Sequence, residues 1–337
     1  MIIDCHGHYT TAPAQHEAWR KEQIDAKGDL SKMSASAPAI SDDELHETIE
    51  GTQLRLQQER GTDLTIFSPR AGGMGHHIGD EKMSMQWSRV CNDQIHRICN
   101  IFPNNFAPVG QLPQSPGCSP SNCIPELERL VNELGFIGVN LNPDPSGGHW
   151  TDPPLTDPWW FELFGKLEEL DVPAMIHVSQ SCNPNFHFTG AHYINADTAA
   201  FMQLLQSDLF ERFPKLKLII PHGGGAVPYH WGRYRGIAIG MKKPEPEEMM
   251  GDNLYFDTCV YHQPGINLMA EVVPVDNILF ASELHGAVRC KDPDTGEWFD
   301  DTKLYIDRAT HLSAEDKEKI FYKNALKVFN RLKPQAG

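Results

Sequence analysis

The sequence predicts an α/β protein, a distorted (β/α)8 barrel of the TIM type with an insertion after its first strand. Eight short apolar runs recur along the chain, amphipathic helical stretches separate them, and no Gly-x-Gly-x-x-Gly follows the first run. The alternation gives repeated βα units and a parallel sheet. The missing phosphate-cradling glycines argue against an open dinucleotide-binding sheet and favour closure into a barrel. A chain of 337 residues is long enough for one such barrel or two ordinary domains, and the unbroken alternation favours a single domain over 1–337.

The first strand is read over 2–5 and runs into Asp4-Cys-His6-Gly-His8. The segment 10–45 has little periodicity, and Ser41-Asp-Asp-Glu44 then caps a helix reaching about Arg60. Long loops on the C-terminal face of a barrel build active-site walls, so the 10–60 insertion and helix are expected to cover that face. The second strand, 64–68, leads into a glycine-rich loop over 71–80. Further strands are expected at 106–109, 136–141, 174–178, 216–220, 254–257 and 277–281. Between them lie helices at 123–135, with Leu127, Leu130, Val131 and Leu134 on one stripe, and at 158–170. A last helix starts at the cap Ser313-Ala-Glu-Asp316 and reaches about 331.

Composition narrows the function classes. The chain is 40% hydrophobic and 22% charged, with a mean hydropathy of −0.42, as expected of a soluble enzyme. No apolar run approaches the roughly 20 residues of a membrane helix, and the start Met-Ile-Ile-Asp lacks the basic region of a signal peptide. Eight scattered cysteines then read as reduced thiols of a cytoplasmic protein. A net charge of −16 without a Lys/Arg run argues against nucleic acid or an anionic membrane as partner. Any anionic ligand needs local cations to overcome that field.

Four strand ends carry the chemistry. Strand 1 ends at His6 and His8, whose i, i+2 spacing sends both imidazoles to one face, with Gly7 between them keeping that point uncrowded. Strand 5 ends at His177, strand 6 in Pro221-His222-Gly-Gly-Gly225, and strand 8 in Ala281-Ser-Glu283-Leu-His285. Taken singly, His177 reads more often as a buried, hydrogen-bonded histidine than as a ligand, and His222 reads equally as a turn residue. Glu283 is harder to dismiss, since an unpaired carboxylate there is costly. In a barrel all these ends meet on one face, and three histidines with a carboxylate suit zinc or a similar divalent ion with a position open for water.

The ordered set His6-x-His8, Gly135-Phe-Ile-Gly-Val-Asn-Leu-Asn-Pro143, His177, Pro221-His222-Gly-Gly-Gly and Phe280-Ala-Ser-Glu283 resembles the amidohydrolase superfamily over essentially the whole chain. Within it the resemblance is to the branch of aminocarboxymuconate-semialdehyde decarboxylase and related enzymes. It implies a distorted (β/α)-barrel with one divalent metal, usually Zn2+, with Mn2+ or Fe2+ as alternatives. The implied ligands are His6, His8, His177 and Glu283, with His222 as acid/base catalyst.

One departure matters. The decarboxylases usually close strand 8 with Ser-Asp, then a residue such as Tyr or Trp, then Pro; here the chain reads Ser282-Glu283-Leu-His-Gly286. That ending and the Asp4-Cys-His-Gly-His-Tyr-Thr10 start resemble the superfamily's hydratases of aromatic (protocatechuate, lignin-derived) catabolism. The resemblance implies a hydro-lyase adding water to a 2-keto-3-ene tricarboxylate. Glu283 is then read as the group that protonates carbon and His222 as the one that orients or deprotonates water, the reverse assignment staying open. The alternatives are a metal-dependent decarboxylase, a C–C or amide hydrolase of the same superfamily, and a metal-binding sensor without turnover.

Such a substrate demands arginine. Arg70 follows strand 2 and precedes two glycines; Arg233 and Arg235 follow the glycine turn; Arg289 lies beyond Glu283. Arg70 and Arg233 are the preferred carboxylate clamps, against the commoner fate of a surface ion pair. Asn140, Asn142, Tyr193, Asn195 and Asp197 are candidate hydrogen-bonding wall residues. A homodimer or other homo-oligomer is expected from the class.

Overall fold

The computed structural model describes residues 1–332. Eight strands form one parallel sheet in sequential order: β1 Ile3–Tyr9, β2 Leu64–Pro69, β3 Phe106–Gln111, β4 Gly138–Leu141, β5 Ala174–Ile176, β6 Leu218–Ile220, β7 Leu254–Asp257 and β8 Ile278–Leu279. β8 returns to β1 through a backbone hydrogen bond from Cys5 N to Phe280 O, 2.9 Å. Asp4 ties the same seam, accepting from Ser282 N at 3.1 Å and from the Ser282 hydroxyl. The sheet is therefore a barrel, as the βα alternation predicts. Inside it, Ile3, Cys5, Ile66, Val109, Met175, Ile219, Tyr255 and Leu279 fill the lower interior. The larger cluster, including Phe136, Leu163, Phe201, Phe256 and Ile306, seals the helices onto the outside.

The strands differ from the sequence reading mainly at their ends. β1 does not stop at residue 5 but carries His6 and His8 within it, with a slip in its register against β2 between Asp4 and Gly7. Gly7 also has a different reason from the expected one. A Cβ there would sit 2.3 Å from Thr65 Cγ2 and 3.0 Å from Ile66 O, so glycine admits the neighbouring strand rather than clearing the imidazoles. The 123–135 and C-terminal helices are helical but pass through wide turns at Arg129–Glu133 and Lys319–Lys323.

The insertion is more ordered than its weak periodicity predicts. It contains a helix, Ala14–Asp25, whose buried side chains are His16, Trp19, Arg20 and Gln23. An inward face that is mostly polar leaves no apolar stripe to read. Ser41 then caps Asp42–Thr48 with Glu44 closing a capping box, as expected.

Candidate metal-dependent active site

The C-terminal ends of β1, β5, β6 and β8 converge. His6 Nε2 lies 2.9 Å from His8 Nε2, which lies 3.3 Å from His177 Nε2. The far nitrogens explain what these atoms are. His6 Nδ1–H donates to Asp257 Oδ2 at 2.7 Å, and His177 Nδ1–H to the Val178 carbonyl at 2.8 Å. His8 Nδ1 meets Ser68 Oγ at 2.7 Å; the hydroxyl proton is claimed by the Gly7 or Pro69 carbonyl, leaving Oγ to accept. Burial, then the neighbouring His6 and His222, push His8 far below the usual imidazole range, and burial followed by His8 does the same to His177. The Nε2 atoms are thus lone pairs aimed at one another. Three acceptors cannot bond each other; a cation is what this donor set fits, each ring oriented by a partner behind it.

His222 and Glu283 flank that point. His222 lies 5.3 Å from His6 and 5.1 Å from His177 between ring centroids, and its Nδ1–H donates to Asp197 Oδ2 at 2.9 Å. Its Nε2 is buried without a hydrogen-bond partner among the described residues. Burial would lower the His222 pKa, but the Asp197 carboxylate, by charge and hydrogen bond, overcomes this and raises it to about 9. Glu283, 4% exposed, accepts from the Tyr261 hydroxyl at 2.6 Å. Its ligand-capable oxygen groups with His6 and His222 within 4.8 Å, and His6, His8 and His177 form a second such group. His222, Tyr261, Glu283 and His285 all hold left-handed backbone, φ from +50° to +63°. Such residues cost about 1–3 kcal/mol each and concentrate where a side chain must be aimed.

Above this point opens a pocket of about 350 Å³ lined by His8, Thr10, Arg70, Tyr193, Glu283 and Arg289, among others. Arg70 is exposed and has no ion pair among the described residues. The Arg289 guanidinium, whose Nε donates to Gly286 O at 2.9 Å, is lowered by burial and then by the charge of Arg70. Two like charges on one wall call for an anion between them. Tyr193 is buried with its ring 5.0 Å from His177 and 5.2 Å from His222. Asn140 and Asn142 sit deeper: Asn140 donates to Ser68 Oγ at 3.1 Å beneath His8, and Asn142 to Ser179 Oγ at 3.4 Å.

Of the expected wall residues only Tyr193 lines this pocket, and of the candidate arginines Arg233 and Arg235 do not. Arg233 and Asn195 are exposed on the helices Trp231–Met241 and Tyr193–Leu205. Arg235 pairs with Glu245 at 2.5 Å, an exposed ion pair. In each case the helix carries the side chain away from the barrel mouth. Conversely, sequence reasoning passed over Asp257 and Tyr261. Asp257 was findable, since it ends an expected apolar strand as His177 does. Burial would push it up, yet the His6 hydrogen bond and charge hold it below the ordinary carboxylate range. Tyr261 lies in an irregular turn with no periodic signal.

Residues 3–331 match the amidohydrolase family. The chain belongs to it. This is a metal-dependent family, consistent with the donor set above. The chain is 58% identical over 332 residues to 2-keto-4-carboxy-3-hexenedioate hydratase of Sphingobium sp. (strain NBRC 103272 / SYK-6), covering 98% of this chain and 97% of that one. It is 56% identical to the 4-oxalomesaconate hydratase of Rhodopseudomonas palustris, whose crystal structure superposes with a TM-score of 0.91 over 98% of this chain and 96% of the other. A dihydroxybenzoic acid decarboxylase from Polaromonas sp. JS666, crystallised with manganese, shares the fold at 21% identity and a TM-score of 0.70 over 98% and 96% of the two chains.

Proposed function

We propose that this amidohydrolase is a hydratase (hydro-lyase) that adds water across the C=C bond of 4-oxalomesaconate (2-keto-4-carboxy-3-hexenedioate), giving 4-carboxy-4-hydroxy-2-oxoadipate in protocatechuate 4,5-cleavage. The observation that carries the reading is the pairing of Glu283 with His222 across the lone pairs of His6, His8 and His177. The two hydratases that match nearly the full chain support it.

His6, His8 and His177 would hold the divalent ion, with Glu283 facing the same point. Zn2+ is the ion we assign, since three imidazoles and a carboxylate suit a borderline cation; Mn2+ and Fe2+ accept the same donors. When bound, the ion supplies Lewis acidity that makes water a competent nucleophile near neutral pH.

The residues do the rest. Conjugation of the C3=C4 bond with the C2 ketone makes C4 electrophilic. Glu283, with one oxygen fixed by Tyr261, accepts the water proton as the C–O bond forms at C4. His222, held as an imidazolium by Asp197, delivers a proton to C3, so one water is added in total. This reverses the division of labour first read from the sequence, because a histidine backed by a buried carboxylate is the better proton donor. Arg70 and Arg289 hold substrate carboxylates against the acidic field of the chain, while Tyr193 and Asn140 shape and brace the pocket.

All eight cysteines are free thiols, which supports a cytoplasmic setting. No described helix is long and apolar enough to cross a membrane. Exposed Tyr229 and Ile239 offer apolar surface for a homo-oligomer.

The test is a turnover assay beside metal analysis. The protein is expected to bleach the ultraviolet absorbance of the keto-ene tricarboxylate while releasing no carbon dioxide. Carbon dioxide release would make it a decarboxylase instead.

A further inference from the structure

The pocket wall that carries Glu283 has no regular structure. After β8 the chain forms neither helix nor strand until the helix Thr302–Arg308, and Glu283, Gly286, Ala287 and Arg289 of this stretch line the pocket. A proton acceptor and a carboxylate clamp therefore depend on one short turn. Glu283 and His285 hold φ of +50° and +58° within it. Gly286 N donates to the Glu283 carbonyl at 2.8 Å, and a Cβ on Gly286 would lie 2.6 Å from Glu283 Cγ. Left-handed residues of this kind persist only where their surroundings fix them.

The fixing comes from behind the turn. His285 N donates to Asp300 Oδ2 at 3.0 Å, and Thr10 Oγ1 donates to the His285 carbonyl at 2.9 Å. Asp300 is 2% exposed. Its other oxygen, Oδ1, accepts from Arg60 Nη2 at 2.9 Å, and its carbonyl accepts from Arg60 Nη1 at 3.1 Å. Arg60, with a buried side chain, ends the last helix of the insertion, Arg55–Glu59. Two residues beyond Asp300, Thr302 Oγ1 donates to the Ala281 carbonyl at 2.6 Å and braces the strand end from the same side. For stability alone a buried ion pair is often no better than an apolar pair of the same shape. An apolar pair, however, cannot accept the His285 N–H.

We propose that Asp300 is a positioning residue of the active site. Its Oδ2 holds the His285 amide and so aims Glu283 and sets Arg289 in the pocket wall, while Arg60 supplies the cation that lets a carboxylate stand there. The inference rests on the reading of Glu283 as proton acceptor and ties the insertion to the turn that carries it.

Two variants separate aim from stability. Arg60→Met removes the cation and leaves the bond from His285 to Asp300. It is expected to lower Tm by about 5 °C or more, because a buried carboxylate is left uncompensated. Its kcat on the keto-ene substrate, measured well below Tm, should stay within about threefold of wild type. Arg60→Met/Asp300→Leu replaces both charges by apolar side chains and should return Tm to near the wild-type value. Its kcat is nevertheless expected to fall about tenfold or more, the cost of a misplaced reacting group. Amide hydrogen exchange reads the same turn without turnover: over 283–289 it should quicken about tenfold or more in the double variant and stay near wild type in Arg60→Met. A kcat that follows Tm across the two variants would make the pair structural only. Unchanged exchange over 283–289, or an unchanged kcat, in the double variant would overturn the positioning role. Should Arg60→Met fail to fold, the double variant decides alone. If exchange behaves as expected but wild type leaves the keto-ene substrate unchanged, Asp300 still holds the turn and the hydratase reading falls.

Discussion

Each side chain proposed as catalytic has its chemistry set by the residue behind it. Tyr261 fixes one oxygen of Glu283 by donating its hydroxyl to it. Glu283→Gln keeps the shape and the left-handed turn but cannot take a proton. Turnover is expected to fall by about a hundredfold or more, general acid–base catalysis contributing about 10²–10⁴, with the circular dichroism spectrum and Tm near wild type. Near-normal kcat would remove Glu283 from proton transfer. For His222 the test is pH. An imidazolium donor with its pKa raised to about 9 is protonated below that value and loses its proton as pH rises through it, so activity should fall on the basic side. Asp197→Asn removes the carboxylate that raises the pKa. The basic limb of the kcat/KM profile should then move toward lower pH, and an unmoved limb would deny the pair its role. Sequence alone named His222 and Glu283 because they close apolar strands. It could not name Tyr261, whose position depends on a turn rather than a period.

Strands, turns and the insertion place these side chains to within hydrogen-bonding distance, and they were unequally legible. The strands were readable because buried parallel strands are continuous apolar runs; β7 falls on its expected span and β2 within one residue. The insertion helix was not, because His16, Arg20 and Gln23 face inward where apolar residues normally do. The glycine turn after β6 has a steric logic that can be tested. Gly224 has φ +76°, and a Cβ there would lie 2.6–2.7 Å from the Phe256 ring. Gly224→Ala should therefore cost about 1–3 kcal/mol, seen as a lowered denaturation midpoint, together with reduced kcat as His222 shifts. An unchanged midpoint would show that the turn tolerates a side chain.

At the scale of the whole molecule, the barrel solves two problems at once. It brings histidines from residues 6 to 222 and a carboxylate from residue 283 to one mouth, and it sets Arg70 and Arg289 there against a net charge of −16. The alternation of strands and helices made that closure legible, whereas which arginines face the mouth depended on tertiary placement: Arg233 is exposed on the helix Trp231–Met241 outside the pocket lining, while Arg289 lines the pocket from the irregular segment after β8. The most direct measurement is mass analysis of the product formed from the keto-ene tricarboxylate in ¹⁸O-labelled water. Gain of one labelled water, with the labelled oxygen retained at C4 after the exchangeable ketone oxygen is washed out in ordinary water, on an intact carbon skeleton is the predicted result. A product lacking a carboxyl group, or recovery of unlabelled starting material, would contradict it.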